Sequence, residues 1–405
     1  MTDALKARDS KDVEDAIAWA LAESKTLDVV GGGSKRALGR PNQSDMTLDL
    51  SGLSGITLYE PEELVLSARA GTPLSEIEAA VAASGQELAF EPPDYSVVLG
   101  TPAGRATIGG VLATNLSGPR RVKAGAARDF FLGATAVSGR GETFKTGGRV
   151  VKNVTGYDLC KLLAGSYGTL AAMTDVTIKT LPRAETEETL VLAGLDDEAA
   201  AKPLALAMGS SCEVSGAAHL PAHVASRFEA LGAARAATVL RIEGVKPSVM
   251  HRRETLRKLL AGVADAAVLD ETASRALWRA IRDVRPFAAA AEGHERPLWR
   301  VSTAPREGLK LASRLSSGAQ MFYDWAGGLI WVLMPPSDDA GARAIREALA
   351  PLGGHATLIR APSAVRAAVD VFHPQPPGAA ALTRRVKDSF DPKGILNPGR
   401  MWAGV

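Results

Sequence analysis

The chain has 405 residues, 46% of them hydrophobic and 23% charged, with a formal net charge of +2. That length exceeds what one small core can fill, so two domains are the default expectation. A near-neutral balance argues against nucleic acid or an anionic membrane as partner, and 5% aromatic residues make a poor stacking platform. The stretch Met1–Lys11 lacks the apolar core of a secretory signal, and no run reaches the roughly 18 apolar residues of a membrane span. A cytoplasmic protein is expected. Cys160 and Cys212 stand far apart and exclude a self-contained zinc or iron–sulfur site of cysteine type; they read as small buried apolar residues. No histidine pair has H-E-x-x-H spacing, and Pro221 between His219 and His223 argues against a helical ligand pair, so no metal site is expected.

In chain order, Ser10 can cap a helix carrying Val13, Ile17 and Leu21 at four-residue intervals. A short strand, Leu27–Val30, runs straight into Gly31-Gly32-Gly33-Ser34-Lys35. A strand followed by a glycine loop suits an anion, because bare N–H groups converge on it while a hydroxyl and an ammonium add to the hold. No window supplies a Walker loop. A Rossmann fingerprint fails because Gly39 and Pro41 would break the helix it must open. A plain turn and a pyrophosphate loop in a non-Rossmann flavin fold remain. Strands are expected at Met46–Leu50, Ile56–Tyr59 and Leu64–Ala70, then a helix capped by Thr72 with Pro73 at its first position, ending before Gly85.

From Thr107 to Pro182 glycine turns recur beside hydroxyl and amide side chains: Thr107-Ile108-Gly109-Gly110, Asn115-Leu116-Ser117-Gly118, and Gly165-Ser166-Tyr167-Gly168-Thr169-Leu170. Glycine stands where backbone needs positive φ or close approach, so repeated turns of this kind suggest a surface moulded around a ligand. Between them lie expected strands at Phe131–Val137 and Thr143–Thr146, joined through Gly139–Glu142, a short helix over residues 158–164 that Asp158 can cap, and a strand at Leu170–Thr180. Residues 184–198 are acidic and read as an irregular connector. Beyond them, a helix starting at Asp270 or Thr272, strands at Gln320–Asp324, Gly328–Leu333 and His355–Arg360, and helices at Asp339–Leu349, Pro362–Val371 and Leu382–Phe390 complete the reading. Without regular β-α alternation the fold class is α+β.

Several motifs resemble one family together. Gly31–Lys35, Ala106–Gly110, Gly165–Leu170 and the terminal Asp391-Pro392-Lys393-Gly394-Ile395-Leu396-Asn397-Pro398-Gly399-Arg400 are similar to flavoproteins of the vanillyl-alcohol-oxidase type, with an FAD domain of the p-cresol methylhydroxylase type. More narrowly, Arg128–Gly133 and Gly148–Asp158 resemble the FAD-binding (GlcE-type) subunits of bacterial glycolate oxidases. The resemblance implies a two-part FAD domain over residues 1–183, a smaller α+β cap for substrate or partner over 184–380, and a segment 381–405 returning to the FAD domain. The pyrophosphate would lie on the first glycine loop and the adenine and ribose along Thr107–Gly118. The isoalloxazine would sit against the strand after Gly168. Cofactor contacts are thus expected from Gly31, Gly32, Gly33, Ser34, Lys35, Thr107, Ile108, Gly109, Gly110, Asn115, Ser117, Gly118, Gly165, Ser166, Gly168, Thr169, Leu170 and Val176.

The first glycine loop carries Ser34 and Lys35 where covalent members of the family place a histidine, so non-covalent FAD is expected. The H-x-G-D-G-N metal-binding stretch of related 2-hydroxy-acid dehydrogenases is missing. Oxidation of a 2-hydroxy acid needs a cation for the carboxylate and a base for the hydroxyl proton. Candidates are Arg149, Lys152, Tyr157, His219, His355 and Arg360, of which His355, Arg360 and Tyr157 stand first. In a regular strand His355 and Arg360 point to opposite faces. For each, a surface or structural role is the competing reading. The resemblance implies a redox subunit working with a second FAD-linked subunit and an iron–sulfur subunit on a small 2-hydroxy acid, cytoplasmic or held at the inner membrane through those partners. A self-sufficient FAD oxidase for another hydroxylated small molecule, and an assembly module with a retained FAD fold, are the alternatives.

Overall fold

A computed structural model describes residues 4–149, 156–232, 235–292, 296–315 and 318–405. The chain opens with a three-stranded parallel sheet in which Met46–Asp49 lies between Ala4–Lys6 and Leu27–Val30. The helix Ser10–Ala22 buries Val13, Ile17 and Ala20 against Leu27 and Leu48 of that sheet. Its cap is Asp9, not Ser10: the Asp9 carboxylate accepts the Asp12 N–H at 2.9 Å. A carboxylate also meets the positive helix end, which a hydroxyl cannot match.

A five-stranded antiparallel sheet follows, ordered Ile56–Glu60, Val65–Arg69, Ala171–Lys179, Phe131–Ser138, Thr143–Gly147. Helices Leu74–Ala83 and Ile108–Thr114 cover it, burying Ile77, Val81, Val111 and Leu112 with Ala136, Val176 and Ile178. The expected Thr72 cap is not formed. Pro73 takes the cap position, and the Thr72 hydroxyl donates to Arg69 O at 2.6 Å and accepts from Gly55 N at 3.0 Å, fastening the end of the strand instead. Asp158 does cap the helix Leu159–Leu163, accepting the Lys161 N–H.

The remainder forms an eight-stranded antiparallel sheet, ordered Ala266–Leu269, Thr186–Ala193, Ala237–Gly244, Gly216–Leu220, Gln320–Asp324, Leu329–Leu333, Leu298–Ser302, His355–Arg360. The segment expected as a connector is therefore a strand with neighbours on both sides. Its acidic and hydroxyl residues disguise it, because Glu187 and Thr189 are buried among side chains far along the chain. Ser274 Oγ donates to Glu187 Oε1 at 2.8 Å, and Trp278 Nε1 to Thr189 Oγ1 at 2.8 Å. The helices Ala342–Leu349 and Ser363–Ala368 are shorter than expected, while Pro377–Phe390 begins five residues earlier.

One face of this sheet packs on its own helices; the other is shared between the helix Glu271–Arg282 and the first half of the chain. On the second face Phe322, Trp331, Trp325 and Leu298 share a core with Leu38, Tyr95, Leu99 and Leu116. Ion pairs cross the same junction: Arg241 to Glu91 at 2.8 Å and Arg120 to Glu243 at 2.6 Å. After the helix Pro377–Phe390 the chain returns to the first sheet, where Leu27 N–H donates to Ile395 O at 2.7 Å. The buried Lys387 ammonium anchors that return, donating to Thr169 O (2.7 Å), Asp391 Oδ2 (2.7 Å) and Leu396 O (3.0 Å).

Candidate functional site

The loop after Leu27–Val30 lies hard against Arg105–Thr107, the approach to helix Ile108–Thr114. A Cβ on Gly31 would stand 2.4 Å from Thr107 Oγ1, and one on Gly32 would stand 2.0 Å from Arg105 O. Contact dictates both glycines; Gly33 is needed for its left-handed backbone, φ 75°. Among the described residues, no protein group accepts the main-chain N–H of Gly31, Gly32, Gly33, Ser34 or Lys35. Backbone donors in folded proteins are almost always paired. Successive free donors on a cavity wall are arranged for an acceptor from outside the chain.

The donors face an open cleft, the concave kind of surface in which cofactor sites are found. Its walls come from the glycine loop, from Thr107, Gly109, Gly110 and Thr114, and from Tyr167, Gly168, Ala171 and Met173. Leu50, Ala70, Asn397 and Arg400 complete it. Among the described residues the Lys35 ammonium has no carboxylate within 4.0 Å; it reaches Ser34 Oγ at 3.3 Å. Burial pushes its pKa down to about 8, against a weak opposing pull from Asp94. An anion in the cavity would remove that penalty.

The returning C-terminal segment braces both walls. Asn397 Oδ1 accepts Val29 N–H at 2.7 Å while its Nδ2 donates to Tyr167 O at 2.7 Å, so one side chain joins the glycine-loop strand to the Tyr167 turn. A Cβ on Gly168, φ 72°, would collide with that Nδ2 at 2.7 Å. Arg400 Nη1 pairs with Asp28 Oδ1 at 3.3 Å, and Nη2 donates to Lys35 O at 3.0 Å, which ties the loop to the returning segment.

Of the residues expected at the cofactor, Gly31, Gly32, Gly33, Ser34, Lys35, Thr107, Gly109, Gly110 and Gly168 line the cavity. The others do not line it. Ile108, Leu170 and Val176 belong to the core behind it. Asn115 closes the helix in a left-handed conformation and accepts Arg128 N–H at 3.0 Å; Ser117 Oγ accepts Ala127 N–H at 2.9 Å. Gly118 packs under Glu91, while Gly165, Ser166 and Thr169 form the turn itself, with Thr169 Oγ1 donating to Ser166 O at 2.8 Å. The sequence reading missed Asn397 and Arg400 as lining residues, although the terminal motif that carries them was in view. It passed over Tyr167 within a turn it had singled out, and it had no signal for Thr114 or Met173, which only the folded chain brings to the cavity.

Of the candidate catalytic residues, none among the described residues lines the cavity. Tyr157 is 89% exposed and Arg149 is exposed; Lys152 lies outside the described residues. His219 is buried between Thr238 Oγ1 (2.9 Å) and Asp197 Oδ1 (3.2 Å). Arg360 Nη1 donates to Val98 O (2.9 Å) and Phe287 O (2.8 Å). A register shift opposite Leu298 and Trp299 turns Arg360 toward the first half of the chain, which regular alternation would not do. His355 starts the edge strand, away from the cavity lining.

Two family models match this architecture: an FAD binding domain over residues 4–147 and the C-terminal domain of FAD linked oxidases over residues 374–401. The glycolate oxidase subunit GlcE of Escherichia coli (strain K12) is 34% identical over 385 residues, 95% of each chain. The chain belongs to the GlcE-type family of FAD-linked oxidases. This GlcE-type chain is an FAD-dependent oxidoreductase, and FAD is its cofactor. Over 162 residues the chain is also similar to the glycolate oxidase subunit GlcD of Bacillus subtilis (strain 168), 33% identical over 40% of this chain and 33% of that protein. In fold the GlcE-type chain matches p-cresol methylhydroxylase, with a TM-score of 0.73 at 13% identity over 98% of this chain and 88% of the other. No helix among the described residues is long and apolar enough to cross a membrane.

Proposed function

We infer that the cavity between the two sheets of the first half holds FAD without a covalent bond, and that the chain serves as the FAD-binding redox subunit of a glycolate oxidase complex. The observation that carries this is the run of free N–H groups over Gly31–Lys35, beside a lysine that, among the described residues, has no carboxylate within 4.0 Å. FAD, when bound, supplies two-electron acceptance from a hydroxylated carbon. The loop amides and Lys35 fit the pyrophosphate, while Leu50, Ala70, Ala171 and Met173 offer apolar contact to flat rings. Among the described residues neither histidine nor cysteine lines the cavity, which supports a non-covalent cofactor. Residues 1–183 with 381–405 act as the FAD half and 184–380 as the cap that excludes water from it.

The complex would unite this chain with a second FAD-linked subunit and an iron–sulfur subunit in the cytoplasm, converting glycolate to glyoxylate and passing electrons onward. The relatives' own names as glycolate oxidase subunits support a multi-subunit assembly. Anaerobic addition of glycolate to the purified chain, and then to the chain with its partners, tests it. Bleaching of the flavin band only after partners are added is the expected result. Bleaching by the chain alone would make it a self-sufficient dehydrogenase, and a colourless chain would leave an assembly subunit. Acid precipitation should release the yellow pigment to the supernatant; a yellow pellet would refute non-covalent binding.

A further inference from the structure

Arg300 lies on the strand Leu298–Ser302, paired in register with Trp331, whose ring meets Tyr95 of the first half edge-on at 5.7 Å. Its side chain is therefore on the sheet face that looks toward the cofactor half. Arg121 approaches from that half, at the start of the helical turn Arg121–Ala124. Both guanidinium groups settle on one indole, 4.4 Å (Arg121) and 4.9 Å (Arg300) from the Trp325 ring centre. Trp325 is fixed from several sides. Its Nε1 donates to Gly118 O at 3.1 Å, its backbone N–H to Asp324 Oδ1 at 2.7 Å, and it and Ala326 both hold left-handed backbones, φ 52° and 57°. Consecutive non-glycine residues in that region are strained and persist where the surroundings hold them in place.

Two cations on one ring call for a counter-charge, yet among the described residues neither has a carboxylate within 4.0 Å. Other arginines at the same junction do: Arg120 meets Glu243 at 2.6 Å, and Arg241 meets Glu91 at 2.8 Å. The repulsion registers on the neighbours: after burial, Arg300 is the main influence lowering both Arg121 and His355. Asp324 is coupled to Arg300, but burial pushes its pKa up to about 7, so it only partly offsets the charge at neutral pH. Tyr167, a wall of the FAD cavity, packs against the same apolar cluster as Trp325, which puts the cationic pair and the cavity on either side of one cluster, and Arg300 and Arg400 both act on the Tyr167 hydroxyl.

We propose that Arg121 and Arg300, one from each half of the molecule, form the seat for the carboxylate of a small 2-hydroxy acid, with Trp325 as the platform that orients them. The proposal deepens the redox reading above and rests on it for the identity of the substrate class. The forked guanidinium groups match a carboxylate's two oxygens, and closure of the cap on the first half is what assembles the pair.

Calorimetric titration of the FAD-loaded chain with oxalate, which mimics the carboxylate and cannot be oxidised as an alcohol, tests the seat directly. Arg300→Met should weaken oxalate binding roughly ten- to hundredfold, as loss of charge-assisted hydrogen bonds does. Arg300→Lys should keep part of the affinity, because charge remains without the fork. Arg121→Gln, altered on the opposite half, should also weaken it, with FAD content and melting temperature unchanged in all three. Oxalate binding by Arg300→Met within twofold of wild type overturns the proposal, and so does a wild-type chain carrying full FAD that ignores oxalate. A chain that binds oxalate through Arg300 but takes up no FAD supports the seat while removing the redox reading.

Discussion

Substituting Gly32 with alanine isolates the contribution of the phosphate loop. The new Cβ would stand 2.0 Å from Arg105 O and 3.0 Å from its carbonyl carbon, both main-chain atoms that no rotamer change can move aside. The loop must shift by an ångström or more, and its N–H groups then miss the positions that a bound phosphate oxygen requires. Each N–H bond to a charged oxygen contributes about 1.5–3 kcal/mol. Losing two of them removes at least about 3 kcal/mol, or roughly two orders of magnitude in FAD affinity. Fluorescence quenching during FAD titration of the apo-protein reads this directly. Gly378→Ala serves as control, since its Cβ meets nothing within 4 Å, and it should bind FAD as the parent does. FAD binding by Gly32→Ala within threefold of the parent would refute the assignment of the loop.

Lys35 adds a pH signature. Its pKa in the free protein is depressed to about 8, so binding an anion draws it back up. FAD affinity should be steady below pH 8 and weaken as pH rises beyond it, and Lys35→Met should be weaker throughout and flat across that range; equal slopes in a titration series would contradict this. The same depression opposes folding of the apo-protein, by an amount that grows as pH falls from 10.5 and is fully present below about 8. Lys387→Met leaves Asp391 buried without its partner and should lower stability by about 3–5 kcal/mol, read as the shift in denaturant midpoint. Glu243 is held down to about 2 by Arg241 and Arg120. The stability it contributes is present above its unfolded value near 4.5 and lost as pH falls toward 2, so Glu243→Gln should flatten acid unfolding in that window, monitored by circular dichroism.

Local rules carried the reading wherever the cause of a structure lies within a few residues. The glycine loop was legible because strand, glycines, serine and lysine are contiguous, and the strands around Phe131 and Gln320 because their apolar residues run unbroken. Boundaries slipped where a neighbour competed for the same role, as Asp9 did with Ser10 and Pro73 with Thr72. Thr186–Ala193 was misread because its acidic residues look solvated until Ser274 and Trp278, more than eighty residues on, are folded against them. Arg360 was aimed wrongly because a bulge, invisible in the residue pattern, reverses its face.

The sequence by itself determined where backbone must turn tightly, where it carries bare N–H groups, and that no cysteine cluster is available for a metal. Those properties belong to single residues and their immediate neighbours. Tertiary structure alone decided that Asn397 and Arg400 brace a loop about 370 positions away, and that Arg121 and Arg300 meet on Trp325. Such meetings follow from how two halves dock, and docking depends on the shape of whole surfaces, which no window along the chain contains.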